Sequence, residues 1–130
     1  MEIIEFDSTV HRGMLVGWLA KRDHPPVLDF PINGYCVLHD DTIVCCGFLR
    51  LIEGGYALLD GYATDPDAPA ELRNKSLNLL TKYLVTRAKQ IGIRGLFATS
   101  IDNNTIKRAL EHKFSVLPYA VLVLDIRKAE

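Results

Sequence analysis

A ten-residue stretch in the second half of the chain, ELRNKSLNLL (71–80), places basic and small polar side chains at the start of a predicted helix. The first turn of a helix leaves backbone N–H groups unpaired and carries a partial positive charge. A phosphate group can accept hydrogen bonds from those N–H groups. The stretch contains no glycine, although glycine lets a backbone approach an anion closely. It therefore predicts either a phosphate site or an ordinary helix start.

The segment YALLDGYAT (56–64) carries a second set of side chains that could do chemistry. If it forms a regular strand, Asp60, Tyr62 and Thr64 share one face. A carboxylate there can remove a proton from a substrate, and a phenol can supply one. The plainer alternative is that Asp60 is a hydrogen-bonded strand carboxylate and Tyr62 a packed cross-strand aromatic.

Metal chemistry and serine-nucleophile chemistry are not indicated. The four histidines have no metal-ligand spacing. Ser100 follows an apolar segment but is not part of a Gly-x-Ser-x-Gly sequence. No metal site is therefore predicted.

The composition fits one globular domain, predicted here over residues 1–130. The chain is 48% hydrophobic and 24% charged, which is enough apolar material for a core. A formal net charge of -1 gives no broad attraction to nucleic acid or to an anionic membrane surface. No apolar run has the length needed to span a bilayer. We therefore expect neither a nucleic-acid partner nor a membrane partner.

Three cysteines, Cys36, Cys45 and Cys46, bear on the redox compartment. The first residues, MEIIEFD, do not resemble a signal peptide, and the cysteine count is odd, so we expect reduced thiols and a cytoplasmic location. Cys45 and Cys46 are adjacent, so in a strand they would point to opposite faces and would not readily pair. Buried cysteines that act as small hydrophobic residues are the simplest interpretation.

Periodicity and turn residues predict nine elements in the order β-α-β-β-β-α-β-α-β. Strands are predicted at 2–7, 35–39, 42–52, 56–64, 95–100 and 119–126. Helices are predicted at 9–22, at about 70–91 and at 102–114. The middle three strands, joined by short turns, form an antiparallel meander. The apolar segment GLFATS (95–100) indicates a central strand of parallel type. The class is α/β, an α+β mixed sheet with helices on its faces.

This order of elements, with the basic helix start, resembles the GNAT superfamily of acetyl-CoA-dependent N-acetyltransferases. The family signature after the third meander strand is Arg/Gln-x-x-Gly-x-Gly/Ala, and the matching span here is RNKSLN (73–78). The arginine is present, whereas Ser76 and Asn78 stand at the glycine positions. The resemblance implies a GNAT-like fold.

A second segment, DNNTIKRALEHKF (102–114), also resembles the family. Ile106 and Phe114 keep the spacing of a pattern that many members share. Asp102 falls on an Asn position of that pattern, with Asn103 adjacent. Ala109 stands where many members carry a tyrosine that serves as general acid. This half therefore matches in pattern more than in signature residues.

The resemblance implies that acetyl-CoA binds as co-substrate at the end of the third meander strand and at the following helix. The pyrophosphate would be held by Arg73, Asn74, Lys75, Ser76, Leu77 and Asn78. The pantetheine arm would be held by Tyr62, Ala63 and Thr64. Asn103 is included among the cofactor contacts.

The resemblance also implies the reaction, which is acetyl transfer to a primary amine that attacks the thioester directly. Asp60 would be the base, and Tyr62 or Tyr119 the acid. A backbone N–H aimed at the thioester oxygen would stabilise the oxyanion. The amine acceptor, a small molecule or a protein, is not specified, and HPPVLDFPING (24–34) would help to line its side. Family members often form homodimers, and the last apolar strand could take part in one.

A non-catalytic CoA-binding or protein-interaction module is the alternative. The replaced glycines and the absent helix tyrosine favour it. The segment before Arg73 is acidic, with Asp65, Asp67 and Glu71 nearby, and such carboxylates weaken attraction for phosphates when they lie close to them.

Overall fold

A computed structural model describes residues 1–23, 30–100, 102–118, 122, 124 and 126. The strands are β1 (Glu2–Glu5), β2 (Asn33–His39), β3 (Thr42–Ile52), β4 (Tyr56–Thr64) and β5 (Gly95–Ala98). The helices are α1 (Ser8–Lys21), α2 (Ala70–Gln90) and α3 (Asn103–Glu111). These elements follow the predicted order from the first strand to the third helix. The predicted last strand, 119–126, lies mostly outside the described residues.

The chain divides into two compact units, Met1–Ala98 and Thr99–Glu130. The first unit contains all five strands with α1 and α2, and the second contains α3. In the second unit the Asp102 carboxylate caps α3 by accepting from the backbone N–H of Thr105 at 2.9 Å. The assignment of residues 1–130 to one domain stays a prediction.

The first unit is built on one mixed sheet with the strand order β1-β2-β3-β4-β5. Neighbouring strands are antiparallel except β4 and β5, which run parallel. The mixed α/β class and the antiparallel meander are therefore confirmed. Within the described part of the chain β5 is an outer strand and not a central one.

Tight turns set the meander because their residues adopt positive φ angles. Asp40 and Asp41 join β2 to β3 with φ of 48° and 61°. Gly54 and Gly55 join β3 to β4 with φ of 93° and 87°. Asp and Gly are among the residues that tolerate this backbone region. Short turns of this kind keep consecutive strands adjacent and antiparallel.

The two helices of the first unit bury opposite faces of the sheet. On one face α1 contributes Leu15, Trp18 and Leu19 to a cluster that includes Phe48. On the other face α2 contributes Leu80, Leu84 and Ala88 to a cluster that includes Leu49. Each large apolar side chain buried in this way stabilises the fold by about 1.5–3 kcal/mol.

The neighbouring cysteines of β3 confirm the alternation of a strand. Cys45 belongs to the cluster under α2, whereas Cys46 belongs to the cluster under α1. All three cysteines are buried free thiols. Cys45 and Cys46 therefore point to opposite faces, as the sequence predicts.

None of the described helices is both long enough and apolar enough to cross a membrane. Over the same residues, no three His, Cys, Asp or Glu side chains are grouped so that they could hold a metal ion.

Candidate functional site

The strand β4 is interrupted by a bulge at Gly61. Cys46 pairs with Ala63 on β4, whereas Phe48 pairs with Asp60, so β4 carries one more residue than β3 between these pairs. Gly61 has a φ of 64°. A Cβ added there would lie 2.7 Å from the Phe48 ring. Both the backbone angle and the close contact require glycine at this position.

The bulge changes which side chains share a face. Asp60 is paired with Phe48, which faces α1, whereas Tyr62 packs in the cluster under α2. The expectation that Asp60 and Tyr62 share a face, which holds for a regular strand, is therefore wrong. The extra residue reverses the alternation beyond Gly61, because successive side chains of a strand point to opposite faces.

Beyond the bulge, the edge of β4 on the side of β5 is open, in that no described strand pairs with it there. Among the described residues β4 and β5 pair only over Tyr56–Leu59 and Gly95–Ala98, so from Asp60 to Thr64 β4 is paired with β3 but not with β5. On the β3 side, the Asp65 N–H donates to Val44 O at 2.8 Å. Hydrogen-bonding direction alternates along a strand, so the N–H and C=O of Thr64 and Tyr62 point away from β3.

Arg22, which directly follows α1, reaches this open edge. Its guanidinium donates to the carbonyl oxygen of Thr64 at 2.6 Å and to the Thr64 hydroxyl at 2.8 Å. Two hydrogen bonds from a charged donor hold the end of β4 in place. They also engage a carbonyl that an extended ligand lying along β4 would otherwise use.

The predicted base, Asp60, is held on two sides. One carboxylate oxygen accepts from Arg50 Nε at 2.8 Å, and the other accepts from the backbone N–H of Gly61 at 2.9 Å. The Asp60 side chain is still 37% exposed, so solvent reaches it. The carboxylate therefore fixes the bulge, and each of its oxygens keeps a further lone pair for another donor.

The predicted acid, Tyr62, is directed toward α2. Its hydroxyl lies 3.3 Å from the Thr81 hydroxyl. Thr81 donates its own proton to Leu77 O at 2.8 Å, which leaves Tyr62 as the donor to Thr81. Gly47 makes room for the ring, because a Cβ at Gly47 would lie 2.7 Å from it. The other predicted acid, Tyr119, lies outside the described residues.

The helix α2 begins without a side-chain cap. Its N-cap residue is Pro69, and within the described part of the chain no side chain accepts from the first-turn N–H groups. The first intrahelical bond runs from the Arg73 N–H to Pro69 O at 3.0 Å. The N–H groups of residues 70–72 are therefore the ones directed out of the helix end.

The predicted pyrophosphate span, 73–78, lies wholly inside α2, so its backbone N–H groups take part in the helical hydrogen-bond pattern. Ser76 is fully buried, and its hydroxyl donates to Leu72 O at 2.7 Å. Leu77 packs against the cluster under α2. The exposed members of the span are Asn74 and Lys75. The phosphate role of these residues stays a prediction, and the N–H groups directed out of the helix end, those of residues 70–72, lie just before the predicted span.

The acidic residues before α2 and in its first turn are partly neutralised by lysines. Glu71 lies 3.2 Å from Lys75, one helical turn away. Asp67 lies 3.7 Å from Lys21 of α1. Asp65 accepts from the Asp67 N–H at 2.9 Å and so shapes the turn. These exposed pairs weaken the repulsion that the loop would exert on a phosphate, although each contributes little to stability.

A shallow depression of about 340 Å³ lies beside the start of α2. It is lined by Met1, His39, Pro69, Glu71, Leu72 and Lys75. The last predicted cofactor contact, Asn103, is the first residue of α3 in the second unit. Its role as a cofactor contact stays a prediction.

Solved structures with this arrangement of strands and helices include a probable and a predicted acetyltransferase. Rv2747 from Mycobacterium tuberculosis, in complex with CoA, has a TM-score of 0.70 at 11% identity, over 95% of this chain and 76% of that one. A predicted acetyltransferase from Clostridium acetobutylicum, with acetyl-CoA, has a TM-score of 0.67 at 12% identity, over 98% of this chain and 97% of that one. The chain has a GNAT-like fold.

A third structure with the GNAT-like fold is N-acetylglutamate synthase from Neisseria gonorrhoeae, complexed with coenzyme A and N-acetyl-glutamate. It has a TM-score of 0.60 at 20% identity over 85% of this chain, which spans only 27% of that enzyme. The sequence itself matches no protein-family model and no curated protein sequence. At identities of 20% and below, the likeness establishes the GNAT-like fold and not an activity.

Sequence reasoning missed three features of the site. Arg22 contacts Thr64, 42 positions away, so its place in the sequence carried no signal. Arg50 contacts Asp60, 10 positions away on the next strand, and this contact depends on the register of the two strands. Gly61 did carry one, because an isolated glycine inside a strand pattern indicates a bulge or a close backbone approach.

Proposed function

We propose that this chain is an acyl-CoA-dependent N-acetyltransferase that moves an acetyl group from acetyl-CoA to a primary amine. The observation that carries the proposal is the open edge of β4 beyond Gly61. This edge ends at Thr64, and five residues separate it from the uncapped start of α2 at Ala70. An extended amide-containing arm can add to an open strand edge through main-chain hydrogen bonds. The GNAT-like fold, found also in proteins solved with CoA or acetyl-CoA, supports it.

The residues fit a CoA molecule in two parts. The backbone groups of Tyr62 and Thr64 would bond the pantetheine amides. The backbone N–H groups of residues 70–72 would receive the pyrophosphate, with Arg73 and Lys75 adding charge. The phosphate contacts would thus lie at the start of the predicted span and just before it. Acetyl-CoA would supply the activated thioester carbonyl.

Asp60 would remove the proton from the attacking ammonium, directly or through a water molecule. Arg50 and the Gly61 N–H would position this carboxylate, and the exposed part of the side chain would accept the proton. A backbone N–H on the open edge would donate to the oxyanion that forms on the thioester. Tyr62 or Tyr119 would protonate the departing thiolate. The contact of the Tyr62 hydroxyl with Thr81 limits that role to a thiolate on the α2 face.

A non-catalytic CoA-binding or protein-interaction module is the second candidate, and three contacts favour it. Arg22 already engages the Thr64 carbonyl, the Asp60 carboxylate already has two donors, and the Ser76 hydroxyl is buried. A protein that retained the fold without the chemistry would tolerate all three. CoA binding and amine turnover separate the two candidates.

Thermal unfolding with and without millimolar acetyl-CoA tests cofactor binding. A ligand that binds only the native state stabilises it by ~2.7 kcal/mol at a concentration a hundredfold above its dissociation constant. We expect a rise in the unfolding midpoint that Arg73→Glu reduces, because the variant places a negative charge beside the phosphates. Lys89→Glu, at the other end of α2, is the matched control and should keep the full rise.

Turnover is measured next by chromatography of the CoA released in the presence of a panel of amines. Release that depends on the amine supports the transferase. A midpoint shift without release with any amine would favour the CoA-binding module. If the unfolding midpoint does not rise at saturating acetyl-CoA, the transferase and the CoA-binding module are both ruled out, and the protein-interaction module is left.

A further inference from the structure

Two buried thiols face each other across the centre of the sheet. Cys36 of β2 and Cys46 of β3 are direct cross-strand partners. Their Sγ atoms lie 2.9 Å apart, and both residues are fully buried. Neither thiol takes part in the proposed acetyl transfer. The separation of the two sulfur atoms is only about 0.85 Å greater than a disulfide bond length.

The backbone at this position also suits a disulfide bond. The Phe6 N–H donates to Gly34 O, which directs the hydrogen-bonding groups of Gly34 and Cys36 toward β1. Cys36 and Cys46 therefore form a non-hydrogen-bonded pair between β2 and β3, since the direction alternates along β2. Such pairs have Cα atoms about 4.5 Å apart, which lies within the range that disulfide bonds span.

The third cysteine is excluded from this pair by its position. Cys45 is the immediate neighbour of Cys46 but lies in the cluster on the opposite face of the sheet. The hydrogen bond with Cys36 and burial both raise the pKa of the Cys46 thiol. The two sulfur atoms are equally buried, so either cysteine can be the first of the pair to react.

We propose that Cys36 and Cys46 are an oxidisable pair, which a small peroxide converts to an intramolecular cross-strand disulfide. The sulfur of one of the two cysteines attacks one peroxide oxygen, the O–O bond breaks, and that cysteine becomes a sulfenic acid as one water forms. The sulfur of the other cysteine then attacks the sulfenic sulfur, and its proton leaves with the hydroxyl as a second water. Two thiols lose two electrons and two protons, and hydrogen peroxide becomes two waters.

Burial determines which oxidant can react. The two sulfur atoms lie under α1 among large apolar side chains, so a bulky disulfide reagent is excluded from the native protein. Hydrogen peroxide is small enough to enter when this layer opens locally. The resulting bond joins two adjacent strands across a short turn, so the oxidised chain should unfold at a higher temperature than the reduced one. This inference does not depend on the proposed acetyltransferase activity.

Intact mass of the full chain after treatment with hydrogen peroxide tests the proposal. We expect the folded wild type to lose about 2 Da, with the loss reversed by a reducing agent. Proteolysis without reduction should give one linked peptide pair that contains Cys36 and Cys46. Because the peptide map needs no substitution, it stands even if a variant fails to fold.

Three variants complete the test. Cys45→Ala should still lose about 2 Da, whereas Cys36→Ala and Cys46→Ala should not. These two variants should instead gain oxygen on the thiol of the pair that remains. A bond to Cys45, or a disulfide between two chains, would overturn the assignment. So would a native chain whose thiols resist peroxide that oxidises them readily in urea.

Discussion

At the scale of single residues, the candidate site is defined by polar side chains that already have partners. Asp60 is held by Arg50 and by the N–H of Gly61, and Thr64 is held by Arg22. These contacts fix the end of β4 before any ligand arrives. Each contact also competes with a catalytic or binding role. An oxygen that already accepts a hydrogen bond can bind a ligand only through a second lone pair or after its present partner leaves.

Asp60→Asn tests the proposed base. The substitution removes the ion pair with Arg50 but leaves an amide oxygen for the Gly61 N–H. The ion pair is about half exposed and solvent screens it, so we expect the free energy of unfolding to fall by less than about 1 kcal/mol. Loss of a general base should lower amine turnover by about 10²–10⁴-fold. Chemical denaturation and the rate of CoA release measure the two effects.

Arg50→Gln is the matched control for Asp60→Asn. It breaks the same ion pair, so its loss of stability should be similar. It leaves the carboxylate in place, so its turnover should fall much less. Equal losses of turnover in the two variants would mean that Asp60 is only structural.

At the scale of elements, the bulge in β4 and the start of α2 create the candidate site. The bulge at Gly61 ends the regular alternation of β4, and the pairing with β5 ends two residues before it. The helix α2 starts at Ala70, so the residues of the predicted phosphate span lie within its first turns. The position of an element boundary thus decides which backbone N–H groups can meet a ligand.

Gly61→Ala should weaken the fold through β4. Alanine would be strained at a φ of 64°, and its Cβ would lie 2.7 Å from the Phe48 ring. We expect the free energy of unfolding to fall by about 2–4 kcal/mol. Urea denaturation measures this change.

The matched control is Gly13→Ala in the middle of α1. A Cβ at Gly13 has nothing within 4 Å, and the site is helical. Alanine should therefore raise the free energy of unfolding by about 0.5–1 kcal/mol. Destabilisation by Gly13→Ala, or a neutral Gly61→Ala, would contradict the description of these positions.

At the scale of the whole molecule, the formal net charge of -1 is close to zero, so the effect of charge on stability comes from individual groups and their neighbours. Each compact unit has a helix capped by an aspartate, Asp7 before α1 and Asp102 before α3. The side-chain and backbone hydrogen bonds from Thr9 lower the pKa of Asp7, and those from Thr105 lower the pKa of Asp102. The folded chain therefore binds protons at these two sites less readily than the unfolded chain does.

The acid limb of stability should follow from these caps. A carboxyl whose folded pKa lies below its ordinary value of 3.8 stabilises the fold fully above that value. The contribution is lost as the pH falls through the lower folded pKa. We expect the unfolding midpoint of the wild type to drop as the pH falls below about 4. The midpoint of Asp7→Asn should drop less, because Asn caps a helix without titrating.

Thermal scans over a series of acidic buffers measure this limb. Thr9→Val is the matched variant, because it removes the side-chain donor but keeps the carboxylate and the Thr9 backbone position. Its acid limb should begin at the same pH as that of the wild type but be smaller, because the folded pKa of Asp7 then lies closer to its ordinary value. An Asp7→Asn protein with the same acid limb as the wild type would show that other groups control it.

The sequence alone determined the element order and much of the sheet, for reasons that are local. Helical spacing predicted α1 and α2, and β-branched runs bounded by short turns predicted β2, β3 and β4. The alternation of a strand predicted that Cys45 and Cys46 face opposite ways. Each of these follows from the period of a pattern over a few residues, which needs no knowledge of distant contacts.

The tertiary structure decided which groups meet at the candidate site. Register between β3 and β4 placed the extra residue at Gly61, so Asp60 and Tyr62 face opposite sides. Chain folding brought Arg22 to Thr64 across 42 positions. It also brought Cys36 beside Cys46, a pairing that the sequence analysis did not predict. Register and long-range contacts depend on how whole strands and helices pack, and the residues near any one position do not specify that packing.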